Sequence, residues 1–302
     1  MKSKFHLWAE RYDRQLDDIF AVQDEVIQQI VAALTVQLTA GERPRVGGAP
    51  TENLQAYDAF VRGREQYVRR DRAANTQARE LFEQAISLDE NYAQAHAFLG
   101  RTYLMELVNQ WSNTPDLLDK LFEHGRQPLA LDDAQPTAYE TLAFGHVARQ
   151  EHDQAIEAAR KAVQFDPNFA DGYISLGEVL NFSGQPADAI PLIEHATRLN
   201  PRYTPNYLWA LGQAHRLLQN YDQAIAIFRR VITRNPDHLI AHLMLCSCYV
   251  EIDRLDEAKP HGAEVLRINP DYSVAVSDRR SPYKNREDTE RQTNSLCRGG
   301  LS

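Results

Sequence analysis

Small and apolar residues recur at a fixed period through the middle and end of the chain. Four prolines, Pro167, Pro201, Pro236 and Pro270, close successive segments at intervals of about 34 residues. Each segment fills the same earlier slots, and before Pro167 these hold Tyr139, Leu142, Ala143, Ala155, Ala159 and Ala162. In each of two groups the positions recur at the three-and-four spacing of one helix face, a spacing that predicts two amphipathic helices per segment.

The three later segments repeat the pattern with other residues. The slots hold Tyr173, Leu176, Gly177, Ala189, Ile193 and Ala196, then Leu208, Leu211, Gly212, Ala224, Phe228 and Val231, then His242, Leu245, Cys246, Ala258, Gly262 and Val265. Glycine or alanine where two helices cross lets their backbones approach closely. Proline ends the second helix because its ring removes an N–H donor and clashes with the preceding turn.

Two earlier segments follow the same pattern less regularly. The first carries Ala78, Phe82 and Ala85 and places Glu90 in the proline slot; the second has Asp133 there. The interval from Glu90 to Asp133 exceeds one period, and the surplus residues lie in LMELVNQWSNTPDL. This predicts an insertion between the paired helices. Pro128 falls inside the second of them, where it is expected to kink or shorten the helix at a cost of roughly 3 kcal/mol.

These segments resemble tetratricopeptide repeats, whose Trp, Leu-Gly, Tyr, Ala, Phe, Ala, Pro pattern they match slot by slot. The resemblance implies an all-α fold, a right-handed superhelix or α-solenoid of about six helix pairs. The predicted array covers residues 52–271, with repeats that end near residues 90, 133, 167, 201, 236 and 270. Residues 272–302 are then a carboxyl-terminal tail with a short helix.

The front of the chain has a different pattern. HLWAERYDR alternates apolar and polar residues, which favours a half-buried strand. From Asp17 to Leu38 the apolar spacing favours an amphipathic helix with an acidic first turn. AGERPRVGGAP then indicates a linker, after which Thr51 is expected to cap the first repeat helix. Residues 1–39 and 40–51 are thus predicted to be a separate module and its linker.

This front segment carries a second resemblance. HLWAERYDRQLDDIFAVQDEVIQQIVAAL is similar to the junction between a TolB-like domain and a tetratricopeptide array in bacterial multidomain proteins, many of which begin with a class III adenylate or guanylate cyclase domain. The carboxyl end, AKPHGAEVLRINPDYS and the residues after it, is similar to the close of the same proteins. A lone strand cannot satisfy its own backbone groups. We therefore hypothesise that the chain is the carboxyl-terminal piece of a longer signalling protein, with residues 1–39 a remnant of the TolB-like domain.

Composition narrows the function classes. The net charge is −9 at pH 7, which argues against nucleic acid as the main partner because a backbone binder needs a clustered positive surface. Cys246, Cys248 and Cys297 are too few for a disulfide scaffold and indicate free thiols in a reducing compartment. No apolar run approaches the length of a membrane span, and the start lacks a signal-peptide core, so a cytoplasmic location is expected.

No catalytic or metal-binding constellation is evident in the sequence. The glycine stretches SLGEVL and LGQAH fall inside repeat helices, so they do not predict phosphate-binding loops. His242, Cys246 and Cys248 could suggest a metal site, but the first two occupy ordinary packing slots, and structural zinc takes four well-spaced ligands. The sequence therefore predicts a non-enzymatic protein without cofactor or metal.

The first helix of each tetratricopeptide repeat lines a concave surface in the family, which predicts where a partner would bind here. Carried onto this chain, the groove positions are Glu140, Phe144, Ile174, Glu178, Asn181, Trp209, Gln213, Arg216, Leu243 and Ser247. Such a surface suits an extended or helical peptide, with Phe144 and Trp209 as anchors. The alternative is that these two aromatic residues only pack against the neighbouring repeat.

Two functions follow from this interpretation. The first is a protein–protein interaction scaffold that binds a peptide or partner domain, which could be a missing upstream cyclase or TolB-like domain. The alternative is a regulatory or dimerisation fragment of a class III adenylate cyclase signalling protein.

Overall fold

The computed structural model describes residues 51–112, 114–131 and 133–302, together with Val26. The predicted amino-terminal strand lies outside the described residues, as do the predicted helix from Asp17, apart from Val26, and the linker before Thr51.

Over the described ranges the chain is helical and contains no strand. Six consecutive helix pairs form the array: α1 (Leu54–Tyr67) and α2 (Arg72–Leu88), α3 (Ala93–Val108) and α4 (Leu117–Leu131), α5 (Pro136–Ala148) and α6 (His152–Phe165), α7 (Ala170–Phe182) and α8 (Pro186–Leu199), α9 (Pro205–Leu217) and α10 (Tyr221–Arg234), α11 (Leu239–Glu251) and α12 (Leu255–Ile268). Two helices follow, α13 (Val274–Arg279) and α14 (Arg286–Arg298). The predicted all-α solenoid of about six pairs is confirmed.

The first helices of successive pairs form one layer of the solenoid. Each helix packs on its own partner, and each first helix also packs on the first helix of the next pair. The second helices bury only a narrow stripe; on α8 it consists of Ala189, Ile193 and Ala196. By contrast, α11 is buried around most of its circumference, from Leu239 through Val250. Helix α11 is therefore covered both by its partner α12 and by α14 of the tail.

Within a pair, a glycine on the first helix faces a bulky residue on the second. A Cβ atom at Gly212 would lie 2.7 Å from Cε1 of Phe228, which is fully buried. The same relation holds for Gly177, where a Cβ would lie 2.7 Å from Cγ1 of Ile193. The absence of a side chain at these crossings is what allows the two backbones to approach.

The turn inside each pair is built on one left-handed residue. The turn residues with positive φ are Arg70, Gln110, Gln150, Gly184, Gln219 and Asp253. One αL residue reverses the chain in about three residues, so each second helix folds back directly onto its partner. The longest connection lies in the second pair, between Val108 and Leu117, which confirms the predicted insertion.

Two local expectations are corrected. The cap of α1 is Asn53 rather than Thr51: the Asn53 side chain accepts from the amides of Gln55 and Ala56. Thr51 instead donates to the carboxylate of Asp89, at 2.5 Å. Pro128 does not end α4, which continues to Leu131.

The tail covers the last repeat. Helix α14 packs on α11, and Leu296 near its carboxyl end is almost fully buried. The Ser295 hydroxyl donates to the carboxylate of Glu251 at the end of α11. A solenoid needs such a cover because its terminal repeat would otherwise expose the apolar face that every other repeat buries against a neighbour.

Candidate functional site

The inserted turn of the second pair touches the end of the sixth pair, so the solenoid closes on itself. Asn269 Nδ2 donates to the carbonyl oxygen of Asn109 at 3.1 Å, in a buried position. Gln110 binds both backbone groups of Ser273: Nε2 donates to the carbonyl at 3.3 Å, and Oε1 accepts from the amide at 3.4 Å. The Arg280 guanidinium adds a bond to the carbonyl of Leu107, at 3.3 Å. The array therefore encloses an interior space.

That interior contains a cavity of about 520 Å³. Its wall combines the first helices of all six pairs, the turn of the first pair, the inserted turn and the tail. Aromatic side chains contribute much of the apolar surface: Trp111, Phe144, Phe182, Trp209 and Tyr283 all line it. A cavity of this size, with a mixed apolar and polar wall, is within the range that proteins use to hold ligands or side chains of a partner.

The tail crosses this interior as a non-helical segment, residues 281–284. Gln150 Nε2 donates to the carbonyl of Ser281 at 2.5 Å, and the amide of Lys284 donates to the carbonyl of Phe182 at 2.8 Å. Between them Tyr283 is buried, with 6% of its surface exposed. The segment is thus held at both ends through its backbone and in the middle through one side chain.

The Tyr283 hydroxyl binds two buried side chains on α9. It accepts from Nη2 of Arg216 at 2.7 Å and from Nε2 of Gln213. The Arg216 guanidinium carbon also lies 5.4 Å from the centre of the Tyr283 ring. The ring packs on Phe182, whose ring centre is 5.7 Å from that of Tyr283 and 6.2 Å from that of Trp209. We call the site that holds the Tyr283 side chain the tyrosine slot; it is formed by Phe182, Trp209, Gln213 and Arg216.

A buried carboxyl group, that of Glu178, lies on the cavity wall. Glu178 is 6% exposed, and its Oε1 accepts from Nδ2 of Asn206 at 2.7 Å. Burial raises the pKa of Glu178 to about 8; the Asn206 hydrogen bond and the guanidinium groups of Arg70 and Arg101 oppose the shift, while Glu140 adds to it. At neutral pH this carboxyl is therefore mostly protonated and contributes little negative charge to the interior.

A second buried carboxyl is paired. Glu140 is fully buried on α5, accepts from the Ser175 hydroxyl, and lies 3.4 Å from Nη2 of Arg101. Burial raises the pKa of Glu140, and Arg101 and the Ser175 hydrogen bond oppose that rise. The arrangement joins the first helices of pairs two, three and four by side-chain bonds, which is a structural role.

Basic groups also line the cavity wall. His238 at the start of α11 uses Nδ1 to accept from the amide of Ala241, at 3.1 Å. Burial, together with the nearby Arg70 guanidinium, lowers the pKa of His238 to about 4. The ring is therefore neutral at pH 7, and the cationic groups on the cavity wall near Glu178 are Arg70 and Arg101.

Of the ten residues predicted to face a ligand, four line the cavity: Phe144, Glu178, Trp209 and Leu243. Phe144 is half-buried, whereas Trp209 is 8% exposed. The indole Nε1–H of Trp209 is buried without a hydrogen-bond partner among the described residues. Trp209 also packs against Phe182 of the preceding pair, and an anchoring role for Phe144 and Trp209 stays a prediction.

The other six predicted residues are not on the cavity wall. Two of them, Gln213 and Arg216, hold the tail tyrosine as described above. Glu140, Ile174, Asn181 and Ser247 are buried between helices. Asn181, for example, donates from Nδ2 to the carbonyl of Ala210 on the next first helix, at 3.0 Å. A role for these residues in partner binding stays a prediction.

Sequence reasoning missed the residues that hold the tail. Gln110 and Gln150 occupy equivalent left-handed turn positions in pairs two and three. Their side chains bind the backbone of the same tail at Ser273 and Ser281. Glutamine is an unusual choice for a left-handed position, which asparagine and glycine favour. Glutamine also stands at this position in the fifth pair, as Gln219, whose side chain has no hydrogen bond to the tail among the described residues. Its recurrence in the sequence therefore does not distinguish the turns that hold the tail.

Comparison with known proteins identifies the repeats. Two profiles, each described as tetratricopeptide repeat, match residues 174–237 and 216–277. The chain contains tetratricopeptide repeats. A solved thermophilic tetratricopeptide-repeat protein of Thermus thermophilus is similar in fold, with a TM-score of 0.52 and 20% identity over 65% of this chain and 99% of that one. The crystal structure of the APC/C hetero-tetramer Cut9-Hcn1 gives a TM-score of 0.55 and 15% identity over 87% of this chain and 53% of that one.

A curated relative of this tetratricopeptide-repeat chain is much longer. "Putative adenylate cyclase 3" of Rhizobium meliloti (strain 1021) is 39% identical over 154 residues, which are 51% of this chain and 26% of the Rhizobium protein. The chain thus matches about a quarter of that protein. The resemblance to cyclase-type multidomain proteins that the sequence suggested is supported at this level, while the TolB-like junction stays a prediction.

Two kinds of feature are absent from the part of the chain that the structure describes. None of these residues belongs to a helix long and apolar enough to cross a membrane. Among the same residues, no three or more His, Cys, Asp or Glu side chains are grouped to hold a metal ion.

Proposed function

We propose that this chain is a non-enzymatic scaffold that binds a protein or peptide partner on the inner surface of its tetratricopeptide-repeat array. The observation that carries the proposal is the tail segment 281–284, because the inner surface already holds a non-helical stretch of polypeptide there. Main-chain groups of that segment bond to Gln150 and to the Phe182 carbonyl, and one aromatic side chain fills a buried slot.

This chemistry is the kind that peptide-binding surfaces use. Hydrogen bonds to the main chain supply affinity independent of sequence, and a side-chain slot supplies specificity. The cavity wall beside the segment adds the half-buried Phe144 ring and the Nε1–H of Trp209, which has no partner among the described residues. Binding energy at interfaces concentrates on such aromatic anchors. We therefore assign the anchoring role to Phe144 and Trp209.

The buried charged groups of the interior support a scaffold rather than an enzyme. Glu140 is engaged by Arg101 and Ser175, and Glu178 by Asn206. Each of these bonds joins neighbouring first helices, so the groups serve the shape of the inner surface.

The experiment is affinity capture with the full chain and two matched double variants. Phe144→Ala with Trp209→Ala removes both anchors from the cavity wall. Leu218→Ala with Leu255→Ala removes two large apolar side chains that are exposed outside it. Any captured partner is purified and tested for direct binding to the wild-type chain. The proposal is supported if the Phe144→Ala, Trp209→Ala variant binds that partner at least tenfold more weakly and the Leu218→Ala, Leu255→Ala variant binds it like wild type. A partner that binds both variants and wild type equally contradicts it.

A second function is favoured by the Rhizobium relative. The 39% identity over 154 residues of a protein named as a putative adenylate cyclase supports this array as a regulatory or dimerisation part of a cyclase-type signalling protein. In that case residues 1–39 and 40–51 would be the TolB-like remnant and its linker, ahead of the array at 52–271 and the tail at 272–302. The purified chain should then form no cyclic nucleotide from ATP or GTP and should be a dimer by light scattering. Product above background, or a monomer at every concentration tested, argues against this role.

A further inference from the structure

The tail has two parts that do different things. Helix α14 and the residues after it cover the last repeat: Leu296 and Leu301 are buried, and the Gly299 carbonyl lies against Gly262 of α12. A cover for the sixth pair requires no contact with any earlier pair. Residues 281–284 nevertheless reach the third, fourth and fifth pairs, through Gln150, Phe182 and Arg216. Capping does not explain this reach.

The tyrosine slot is built for a polar aromatic group. Arg216 is 2% exposed, and no carboxylate among the described residues lies within ion-pair distance of its guanidinium. Its hydrogen bonds go from Nε to Oε1 of Gln213, at 3.2 Å, and from Nη2 to the Tyr283 hydroxyl. A buried guanidinium that loses an acceptor is strongly unfavourable. The slot therefore requires an occupant that brings an aromatic ring and a hydroxyl acceptor together.

Besides the bonds already described, the segment 281–284 has two side-chain contacts. The Ser281 hydroxyl bonds to that of Thr289 on α14 at 2.6 Å, and Lys284 Nζ lies 3.5 Å from Oδ1 of Asp153 at an exposed position. Within it only Tyr283 is buried; Ser281 and Pro282 are half-buried, and Lys284 is exposed. The flanking α13 and α14 have their own contacts, with Gln110 before the segment and with α11 after it. Residues 281–284 can consequently leave the slot while the cover on the last repeat stays in place.

We propose that residues 281–284 are an intramolecular ligand that occupies the partner site, and that the partner is a polypeptide carrying a tyrosine in a non-helical segment that displaces them. This deepens the proposed function and rests on it. The incoming tyrosine would take the same bonds from Gln213 and Arg216, and its flanking backbone would bond to Gln150 and to the Phe182 carbonyl. Because a tethered segment competes at a millimolar effective concentration, the chain in its closed form has a reduced apparent affinity for the partner.

The test uses a labelled peptide of the chain's own residues 278–287 and the full-length chain, with binding followed by fluorescence anisotropy. The chain with Tyr283→Ala has an empty slot and should bind the peptide at least tenfold more tightly than wild type. The matched control is Tyr203→Ala, which removes a half-buried tyrosine whose hydroxyl accepts from Arg230 outside the slot. It should bind like wild type.

A second peptide tests the chemistry of the slot. Replacing the peptide's tyrosine with phenylalanine should weaken binding to the Tyr283→Ala chain about tenfold or more, because two buried donors lose their acceptor. If the Tyr283→Ala chain does not fold by circular dichroism, Tyr283→Phe takes its place, and a gain in peptide affinity over wild type of at least threefold is expected from its weaker internal contact.

The proposal is overturned if wild type and the folded Tyr283 variant bind the peptide with equal affinity. It is also overturned if neither binds at 1 mM peptide, roughly the effective concentration of a tethered segment. Neither result touches the scaffold function, which is judged by the Phe144 and Trp209 variants. Conversely, peptide binding with no anchor-dependent partner would leave the slot as a purely internal contact, and the proposal of a displacing partner would be wrong.

Discussion

Nη2 of Arg216, on the first helix of the fifth pair, donates a hydrogen bond of 2.7 Å to the hydroxyl of Tyr283 in the tail. Both residues are almost fully buried. This bond joins two parts of the chain that are far apart in sequence, and it places the tail inside the curve of the solenoid. The shape of the inner surface therefore depends on residues that belong to no repeat.

Replacing Tyr283 with phenylalanine should destabilise the protein by ~1–3 kcal/mol, because the ring still fills the slot while two buried donors lose their acceptor. Tyr203→Phe is the matched control: its hydroxyl accepts a 3.3 Å bond from Arg230 at an exposed position. The control should cost less than about 0.5 kcal/mol. Urea unfolding followed by circular dichroism measures both. Equal losses for the two variants would mean that the Tyr283 hydroxyl is not satisfied in the slot.

The repeating core could be predicted from sequence because the two helices of each pair cross and pack in the same way. A glycine such as Gly212 on the first helix and a bulky residue such as Phe228 on the second leave a signature at fixed spacing. The predicted cap of α1 was wrong by two residues, since both Thr51 and Asn53 are good capping residues. Sequence alone does not say which of them adopts the capping geometry.

The interior could not be predicted because it depends on contacts between residues that no periodicity relates. At the helix crossing of the fifth pair, the small residue is on the first helix and the large one on the second. The sixth pair reverses this: Cys246 stands at the repeat position of Gly212, and Gly262 at the repeat position of Phe228. That reversal is visible in the sequence. What fills the space at Gly262 is the backbone of Gly299, and only the folded chain shows it.

Gly262→Ala should disturb this contact. A Cβ atom at Gly262 would lie 2.7 Å from the carbonyl oxygen of Gly299, and a backbone atom cannot rotate away as a side chain can. We expect a loss of ~1–3 kcal/mol from overpacking, despite the higher helix propensity of alanine. Lys259→Ala, at an exposed position of the same helix, should be close to neutral. Thermal melts compare the two, and a more stable Gly262→Ala protein would show that the tail does not pack there.

Asn269 should contribute more to the free energy of unfolding than Asn235, the equivalent residue of the preceding pair. Oδ1 of Asn235 and of Asn269 each accepts from the amide two residues later, at 3.2 Å. Asn269 also donates to the carbonyl of Asn109, which closes the ring. Asn269→Ala should therefore cost ~1–2 kcal/mol more than Asn235→Ala in urea unfolding. Equal costs would indicate that the second and sixth pairs are not joined.

Glu178→Gln should change how stability depends on pH. The pKa of Glu178 is raised to about 8 from an ordinary value of 4.5, so the folded state favours the protonated carboxyl. The stability from this group is fully present below the unfolded pKa and is lost as pH rises through the folded pKa. Glutamine stays neutral and can still accept the bond from Asn206. The stability of the variant relative to wild type should thus increase between about pH 5 and pH 9, and the difference should reach on the order of 3–5 kcal/mol at the upper end.

Glu194→Gln, on the exposed side of α8, is the control for this change of charge. It should keep the wild-type pH profile when urea midpoints are measured across the same range. A Glu178→Gln protein whose advantage over wild type does not grow with pH would show that the carboxyl is solvated rather than buried on the cavity wall.

Hydrogen–deuterium exchange of residues 278–287 tests most directly whether the tail lies inside the ring. The amide of Lys284 is bonded to the Phe182 carbonyl beside the buried Tyr283 side chain, so its exchange should be slowed by about a hundredfold or more relative to an unstructured peptide. Tyr283→Ala should remove most of that protection while the exchange of α14 stays slow. Exchange of this segment in the wild-type chain at the rate of a free peptide would contradict the inserted tail and, with it, the tyrosine slot as a binding site.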